Sequence, residues 1–470
     1  MIDTATGPHR VNEVPGAQAA RRRLVPWQAG CLLVCMGVLL WGAAAAQPCW
    51  KLSLALGWIV CYTVNNLYRV WLAWQSVRSS SRRGYRDTQN LPESELPTYT
   101  ILLPLYQEAQ SVPQLVGAVR ALDYPVALLQ VLCLLRPDDA ETRSVLEALE
   151  LPPHFQLLEL PSFLPVGTKP AACNYGLAHA TGELLVIYDA EDVPEPEQLR
   201  IAATALRHAP PEVACVETPK RVYNGSRNVL TRLYEVEALT WHLLQLPGLV
   251  WGESFGPLHG SGAHFRTDTI RKMGGWDYYN VTEDCDLGTR LYRNGYRVEL
   301  IPSITEEEAP AAFSAWLRQR TRWNKGFLQT LFVHTREPAR FIRQLRPRAL
   351  LAFVVLLPVT QLNLIVGFPT WVGLLLTLAL GGWKAPDQSM TQELNAVSAV
   401  LLSGLVLAAL AVGLSAAGCI TARRSALLPY AALMPAYWFL LAFAVYRAAW
   451  QFVFDPFSWE KTPHDAHGLK

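Results

Sequence analysis

Two apolar stretches, residues 27–47 and 51–75, stand almost back to back near the start of the chain, and three more, 349–380, 396–420 and 427–449, fill its end. A helix crosses the hydrocarbon of a bilayer in about 20 apolar residues, so each of the first two is long enough to span it. The region between them, 76–335, carries the charged residues of a water-soluble domain. Such a chain folds as a soluble domain inserted between membrane helices.

Composition agrees, with 51% hydrophobic and only 17% charged residues among 470. A net charge of +2 is too small to imply a nucleic-acid partner. Arg21, Arg22 and Arg23 precede the first stretch, and Arg78, Arg82, Arg83 and Arg86 follow the second. Positive charge on both flanks puts both on the cytoplasmic side, with a helical hairpin between. Nine cysteines without CxxC spacing, four of them in or beside these stretches (Cys31, Cys35, Cys49, Cys61), read as small apolar residues rather than a disulfide framework or zinc site.

The expected plan is a cytoplasmic tail (1–26), a membrane hairpin (27–75), a linker (76–96), a cytoplasmic domain (97–335), an interfacial segment (336–348), a C-terminal membrane region (349–449) and a tail (450–470). The stretch 349–380, interrupted by Pro358 and Pro369, is long for one crossing and short for two. Arg423 and Arg424 ask for a cytoplasmic loop, whereas a cytoplasmic C-terminus requires an even number of crossings after residue 335. Both hold only with a re-entrant segment, so the crossing count stays open.

Within the soluble domain, strands alternate with helices. Thr98 to Pro104 reads as a strand leading to Tyr106 and Glu108, and Leu128 to Leu135 as one ending at Asp138 and Asp139. Leu185 to Tyr188 is a buried strand followed by Asp189, Glu191 and Asp192. Acids at strand carboxyl ends belong to a mostly parallel α/β sheet that binds a nucleotide there. Neither GxGxxG nor GxxxxGK[ST] occurs, which counts against a Rossmann dehydrogenase and a P-loop ATPase. A diphosphate is then held by metal and cationic side chains, with Asp189 and either Glu191 or Asp192 as ligands of Mg²⁺ or Mn²⁺. Lys169, before a helix, is a candidate phosphate contact.

Four landmarks in this order, Asp138-Asp139, Asp189-Ala-Glu-Asp192, Thr282-Glu-Asp284 and Gln319-Arg-Thr-Arg-Trp323, resemble those of family 2 glycosyltransferases. The likeness is to the membrane-embedded polysaccharide synthases related to cellulose, chitin and hyaluronan synthases, and covers about residues 97–326. It implies a nucleotide-sugar-binding domain of glycosyltransferase A type between transmembrane helices of a bacterial inner membrane, using a nucleotide sugar, UDP-linked by expectation. The implied acceptor is a growing polysaccharide, with separate export proteins as partners.

On this reading Tyr106, Glu108, Asp138 and Asp139 line the nucleoside pocket, with Asp138 or Asp139 accepting from a base NH. Asp284, with Glu283 beside it, is the general base that takes the acceptor hydroxyl proton. Arg322 meets the leaving diphosphate, Gln319 and Trp323 hold the acceptor sugar, and Gly260 and Ser261 let it approach bare backbone. The family's usual DxD is here Asp-Ala-Glu-Asp, which leaves the second ligand open. The tail segment Phe457 to His464 is expected to pack back on the domain. A single-sugar transferase with a lipid acceptor is the nearest rival, and a nucleotide-binding transporter or scaffold the rival of another class.

Overall fold

The computed structural model describes residues 14, 19–44, 48–79, 90–161, 164, 168–252, 254–381 and 388–462. Gly167, His464 and residues 80–89 of the linker lie outside them. Four strands, β1 (Tyr99–Leu105), β2 (Leu129–Leu135), β3 (Phe155–Glu159) and β4 (Leu184–Ile187), pair in parallel. With β6 (Val213–Glu217), β8 (Ala263–Arg266) and β9 (Arg297–Leu300) they form one sheet in the order β3-β2-β1-β4-β8-β6-β9. Strand β8 runs antiparallel to both neighbours, so the sheet is mixed. A second, small sheet joins β5 (Val193–Pro194), β10 (Thr305–Glu307) and β7 (Lys220–Val222).

Two-residue periodicity explains why this sheet is a central layer. Ile101, Leu103, Val131, Cys133 and Val186 enter one core, while Leu102, Leu132, Leu134, Leu185 and Ile187 enter the other. A strand apolar on both faces is stable only with helices on both sides, each such side chain contributing about 1.5–3 kcal/mol when buried. The register Leu102↔Ile187 and Leu105↔Leu135 brings the loops after β1, β2 and β4 to one sheet edge.

Among the described residues three helical segments are long and apolar enough to cross a membrane: Pro347–Gly373, Ser398–Thr421 and Met434–Phe454. Two helices precede the domain, Pro26–Ala44 and Pro48–Ser79. The latter is about 48 Å long at 1.5 Å per residue. Its far end is fixed to the domain where Ser76 donates to the Leu243 carbonyl (3.1 Å) and Arg69 to Gln245 (2.8 Å). After Thr421 the chain returns to the α/β domain, since Arg424 pairs with Glu235 at 2.8 Å and Arg232 donates to Tyr430 at 2.9 Å.

Candidate active site

A cavity of about 1070 Å³ opens at the sheet edge and continues between the long apolar helices. Asp189, Glu191 and Lys169 line its inner end with Glu283 and Asp284, and Tyr106 and Glu108 line the side toward β1. Gln319, Arg322 and Trp323 come from the helix Phe313–His334. Residues scattered over more than 200 positions of sequence thus face one space.

Lys169 stands at the centre, at the start of helix Lys169–His179, in an ion pair with Asp189. Burial acts to neutralise its ammonium, but Asp189 and Glu283 outweigh it and raise its pKa. For Asp189 burial is likewise outweighed, by Lys169 and Lys220, and its carboxyl is held below the usual range. Lys220, after β6, also pairs with Glu307 at 3.3 Å. It follows a Thr-Pro turn after a buried strand, a signal present in the sequence and passed over.

The helix Glu283–Arg293 begins at the opposite wall, its first turn carrying Glu283 and Asp284. Thr282 makes no side-chain cap there, so the acids are not simply completing a capped helix end. Burial raises Asp284 above the ordinary carboxylate range, against the Cys285 amide that it accepts from at 2.7 Å and against Lys169. Burial, then the Asp284 charge, pushes Glu283 up to about 7. Glu283 is thereby poised to hold or give up a proton near neutrality.

Gly260 packs on Asp284. Its φ is +83°, and a Cβ there would stand 2.9 Å from Asp284 Oδ2 and 3.7 Å from Lys169 Nζ. Gly326 is just as confined, since its Cβ would fall 2.2 Å from Thr282 Oγ1. That contact seats the helix of Arg322 and Trp323 against the first turn of the Asp284 helix. Arg322 donates to the Val281 carbonyl at 3.4 Å and lies over the Trp459 ring at 4.7 Å. Arg320 rests 4.4 Å over Trp323, fixing that indole at the cavity wall. Gln319 Oε1 is buried without a hydrogen-bond partner.

Several residues named from sequence have other partners. Asp139 accepts from Thr142 N at 3.2 Å, capping the helix Ala140–Ala148, and from Gln107 N at 2.5 Å. Both of its oxygens are committed, and it does not line the cavity. Asp138 is exposed and forked on Arg136 (2.8 and 2.9 Å), whose guanidinium covers Tyr106 at 4.2 Å. Asp192 turns back to accept from Asp189 N at 2.6 Å, and burial pushes it up to about 8. Ser261 is buried and accepts from Lys220 at 2.7 Å, away from the cavity surface.

Of the two acids left open as partners of Asp189, Glu191 is therefore the one at the cavity. Among the described residues no three metal-binding side chains converge. Two cavity carboxylates suit a divalent ion that shares its remaining oxygen ligands with a diphosphate, so the residues present fit Mg²⁺ or Mn²⁺.

The C-terminal segment closes the β1 side of the site, as expected of it. Lys461 pairs with Glu108 at 3.0 Å, while Lys325 holds the Ser458 carbonyl at 2.8 Å.

Residues 184–385 match the family model described as glycosyl transferase family group 2. The match covers 202 of the 470 residues, and over them the chain is similar to family 2 glycosyltransferases. Relatives of this chain include the probable glycosyltransferase YdaM of Bacillus subtilis, 26% identical over 58% of this chain and 65% of its own length. The beta-monoglucosyldiacylglycerol synthase of Trichormus variabilis is 26% identical over 52% of each chain. Glucomannan 4-beta-mannosyltransferase 2 of Arabidopsis thaliana is 28% identical over 51% of this chain and 46% of its own. The matches thus span about half to two-thirds of these relatives. Among solved structures, the mannosyltransferase PcManGT of Pyrobaculum calidifontis, in complex with GDP-Man and Mn²⁺, superposes with a TM-score of 0.57. It covers 86% of this chain and 99% of its own at 20% identity. The α/β domain accordingly has the glycosyltransferase A type of fold.

Proposed function

We propose that this protein is an inverting membrane glycosyltransferase that extends a glycan from a cytoplasmic nucleotide sugar and passes the product between its membrane helices. The observation that carries this reading is the continuity of the cavity, from Asp189 and Asp284 to Gln361, Asn363 and Trp371. In the helical part, Gln361 Oε1, Asn363 Oδ1 and Trp58 Nε1 are buried and lack hydrogen-bond partners. Buried polar atoms are nearly always satisfied, so unpaired ones facing a cavity suit a hydroxyl-rich guest. Indole rings such as Trp371 and Trp438 give a sugar chain flat surfaces to slide along.

In the transfer step, Asp284 accepts the proton of the acceptor hydroxyl as that oxygen bonds to the anomeric carbon. The bond from that carbon to the diphosphate breaks on the opposite side, and the nucleoside diphosphate departs with its electron pair. Lys169 and Arg322 offset the charge developing on the leaving group. Asp189 and Glu191 would hold Mg²⁺ or Mn²⁺, which when bound supplies further positive charge to the diphosphate. Trp323 and Gln319 orient the acceptor, and Tyr106 and Glu108 lie on the nucleoside side.

A lipid acceptor is the second reading. Leu364, Phe368, Leu375 and Leu405 make much of the helical cavity apolar, and one relative is named for glycolipid synthesis. The test is to supply membranes containing the protein with Mn²⁺ or Mg²⁺ and radiolabelled UDP-, GDP- and TDP-sugars, then size the product. A long, glycosidase-sensitive product supports the synthase, and a single labelled sugar extracted with lipid supports the second reading. Folded protein that binds a donor without transferring or hydrolysing it would contradict both in favour of a transport or scaffold role.

A further inference from the structure

The helix Met434–Phe454 has 21 residues, enough to cross a bilayer, yet its mean hydropathy of 1.2 is well below the 2.3 of the other two candidate spans. Its neighbour along its whole length is the helix Phe313–His334. Trp316 Nε1 donates to Tyr437 OH at 2.9 Å near one end, and the rings of Phe332 and Phe452 stack at 5.2 Å near the other. Sixteen residues separate the contacts on one helix and fifteen on the other. The two therefore run side by side in the same direction for about 23 Å.

That neighbour belongs to the α/β domain at both ends. Arg320 pairs with Glu237 near its start, and buried His334 pairs with Asp286 at 2.9 Å at its finish. Between them lie Arg318, Arg320, Arg322 and Lys325, a cation density that bilayer hydrocarbon does not accept. A helix lying lengthwise on it occupies the same layer. The chain is tied to the domain on either side of Met434–Phe454 as well, by Arg232 on Tyr430 and by Gln329 Nε2, which donates to the Pro456 carbonyl at 2.9 Å.

One face of Met434–Phe454 is left uncovered and is apolar. Phe443, Tyr446, Trp450, Val453 and Phe454 are exposed, Trp450 and Phe454 by 65% each, at spacings that put them on one side. Tyr437, Val445, Ala448 and Phe452 are buried on the other. The helix Thr360–Gly381 meets it around Ile365 and Phe368: the Phe368 ring touches Phe439, Phe443 and Tyr446 at 5.7, 5.1 and 6.4 Å, and the Ile365 carbonyl accepts from Tyr446 OH. A helix running alongside would present a new side chain to each turn, so this one crosses it.

We infer that Met434–Phe454 does not cross the bilayer but lies in its surface, on the side of the α/β domain, with the Phe443–Phe454 face seated at the boundary of headgroups and acyl chains. Tyr and Trp on an apolar face match that boundary. The arrangement also reconciles two demands of the sequence. Arg423 and Arg424 stay beside the domain, and the C-terminal segment returns to the same side, where Trp459 and Lys461 reach Arg322 and Glu108. Two crossings follow the α/β domain instead of three.

The test uses the full chain in liposomes, with native cysteines replaced and spin labels placed singly at the exposed positions 443, 450 and 454, and at Leu402, Val406 and Ile420 of the helix Gln388–Thr421. Collision with oxygen against a water-soluble nickel complex reads depth. One shallow depth for the first three, and depths spread through the bilayer for the second three, is the expected result. A depth maximum near 443 that falls away by 454 would overturn the inference, as would spin–spin broadening with low oxygen access, the sign of a second copy covering the face. Independently, Asp455→Cys and Glu147→Cys should react with an impermeant maleimide from the same side of sealed vesicles, and labelling from opposite sides would refute the surface placement.

Discussion

Asp284 lies against Gly260 and within the field of Lys169, and its replacement isolates proton transfer from binding. Asp284→Asn should lower kcat by about 10²–10⁴ while donor affinity, read by calorimetry, stays within a few-fold. A loss of donor binding of the same size would remove Asp284 from the base role. Because burial raises Asp284 above the ordinary carboxylate range, the active, ionised enzyme is lost as pH falls through a value above 3.8. kcat/KM should therefore show an acidic limb displaced upward from a free aspartate. Gly260→Ala should cost activity without unfolding the chain, since the added methyl meets the base carboxylate and demands a positive φ. Between the two acids that follow Asp189, Glu191→Gln should raise the Mn²⁺ concentration needed for half-maximal rate. Asp192→Asn should leave that concentration little changed, because Asp192 bonds back to the Asp189 amide. Asp189 and Glu191 were legible as cavity acids because the end of β4 puts them at the sheet edge. The uses of Asp139 and Ser261 were not, since a cap and a buried lysine contact depend on which backbone amide or distant ammonium comes within hydrogen-bond distance.

At the scale of elements, the apolar runs announced β1, β2 and β4 and their common edge, because a run buried on both faces has few alternatives. The antiparallel β8 inside this sheet was not legible, as pairing direction is set by how the chain returns rather than by its own four residues. The seating of Pro48–Ser79 on the domain was equally hidden, for it depends on Gly248, whose Cβ would lie 2.1 Å from the Leu72 carbonyl. Backbone meets backbone at that point and neither side yields easily. Gly248→Ala should shorten the thermal half-life of the detergent-solubilised protein, consistent with an overpacking cost of about 1–3 kcal/mol. An unchanged half-life would mean that the two elements part at little cost.

For the whole molecule, the reading rests on one cavity shared by the α/β domain and the membrane helices. The sequence placed polar Asn65, Asn66, Gln361 and Asn363 within apolar stretches, but only the packing of helices distant in sequence brings them to the same space as Asp284. Gln361→Leu with Asn363→Leu should shorten the product while sparing donor hydrolysis, measured by gel sizing beside nucleotide release. The most direct measurement is transfer by the purified, folded chain, comparing wild type with Asp284→Asn across a panel of nucleotide sugars with donor binding followed in parallel. The account expects sugar transfer from at least one donor by the wild type, and donor binding without transfer by the variant. Equal transfer by both proteins would contradict it.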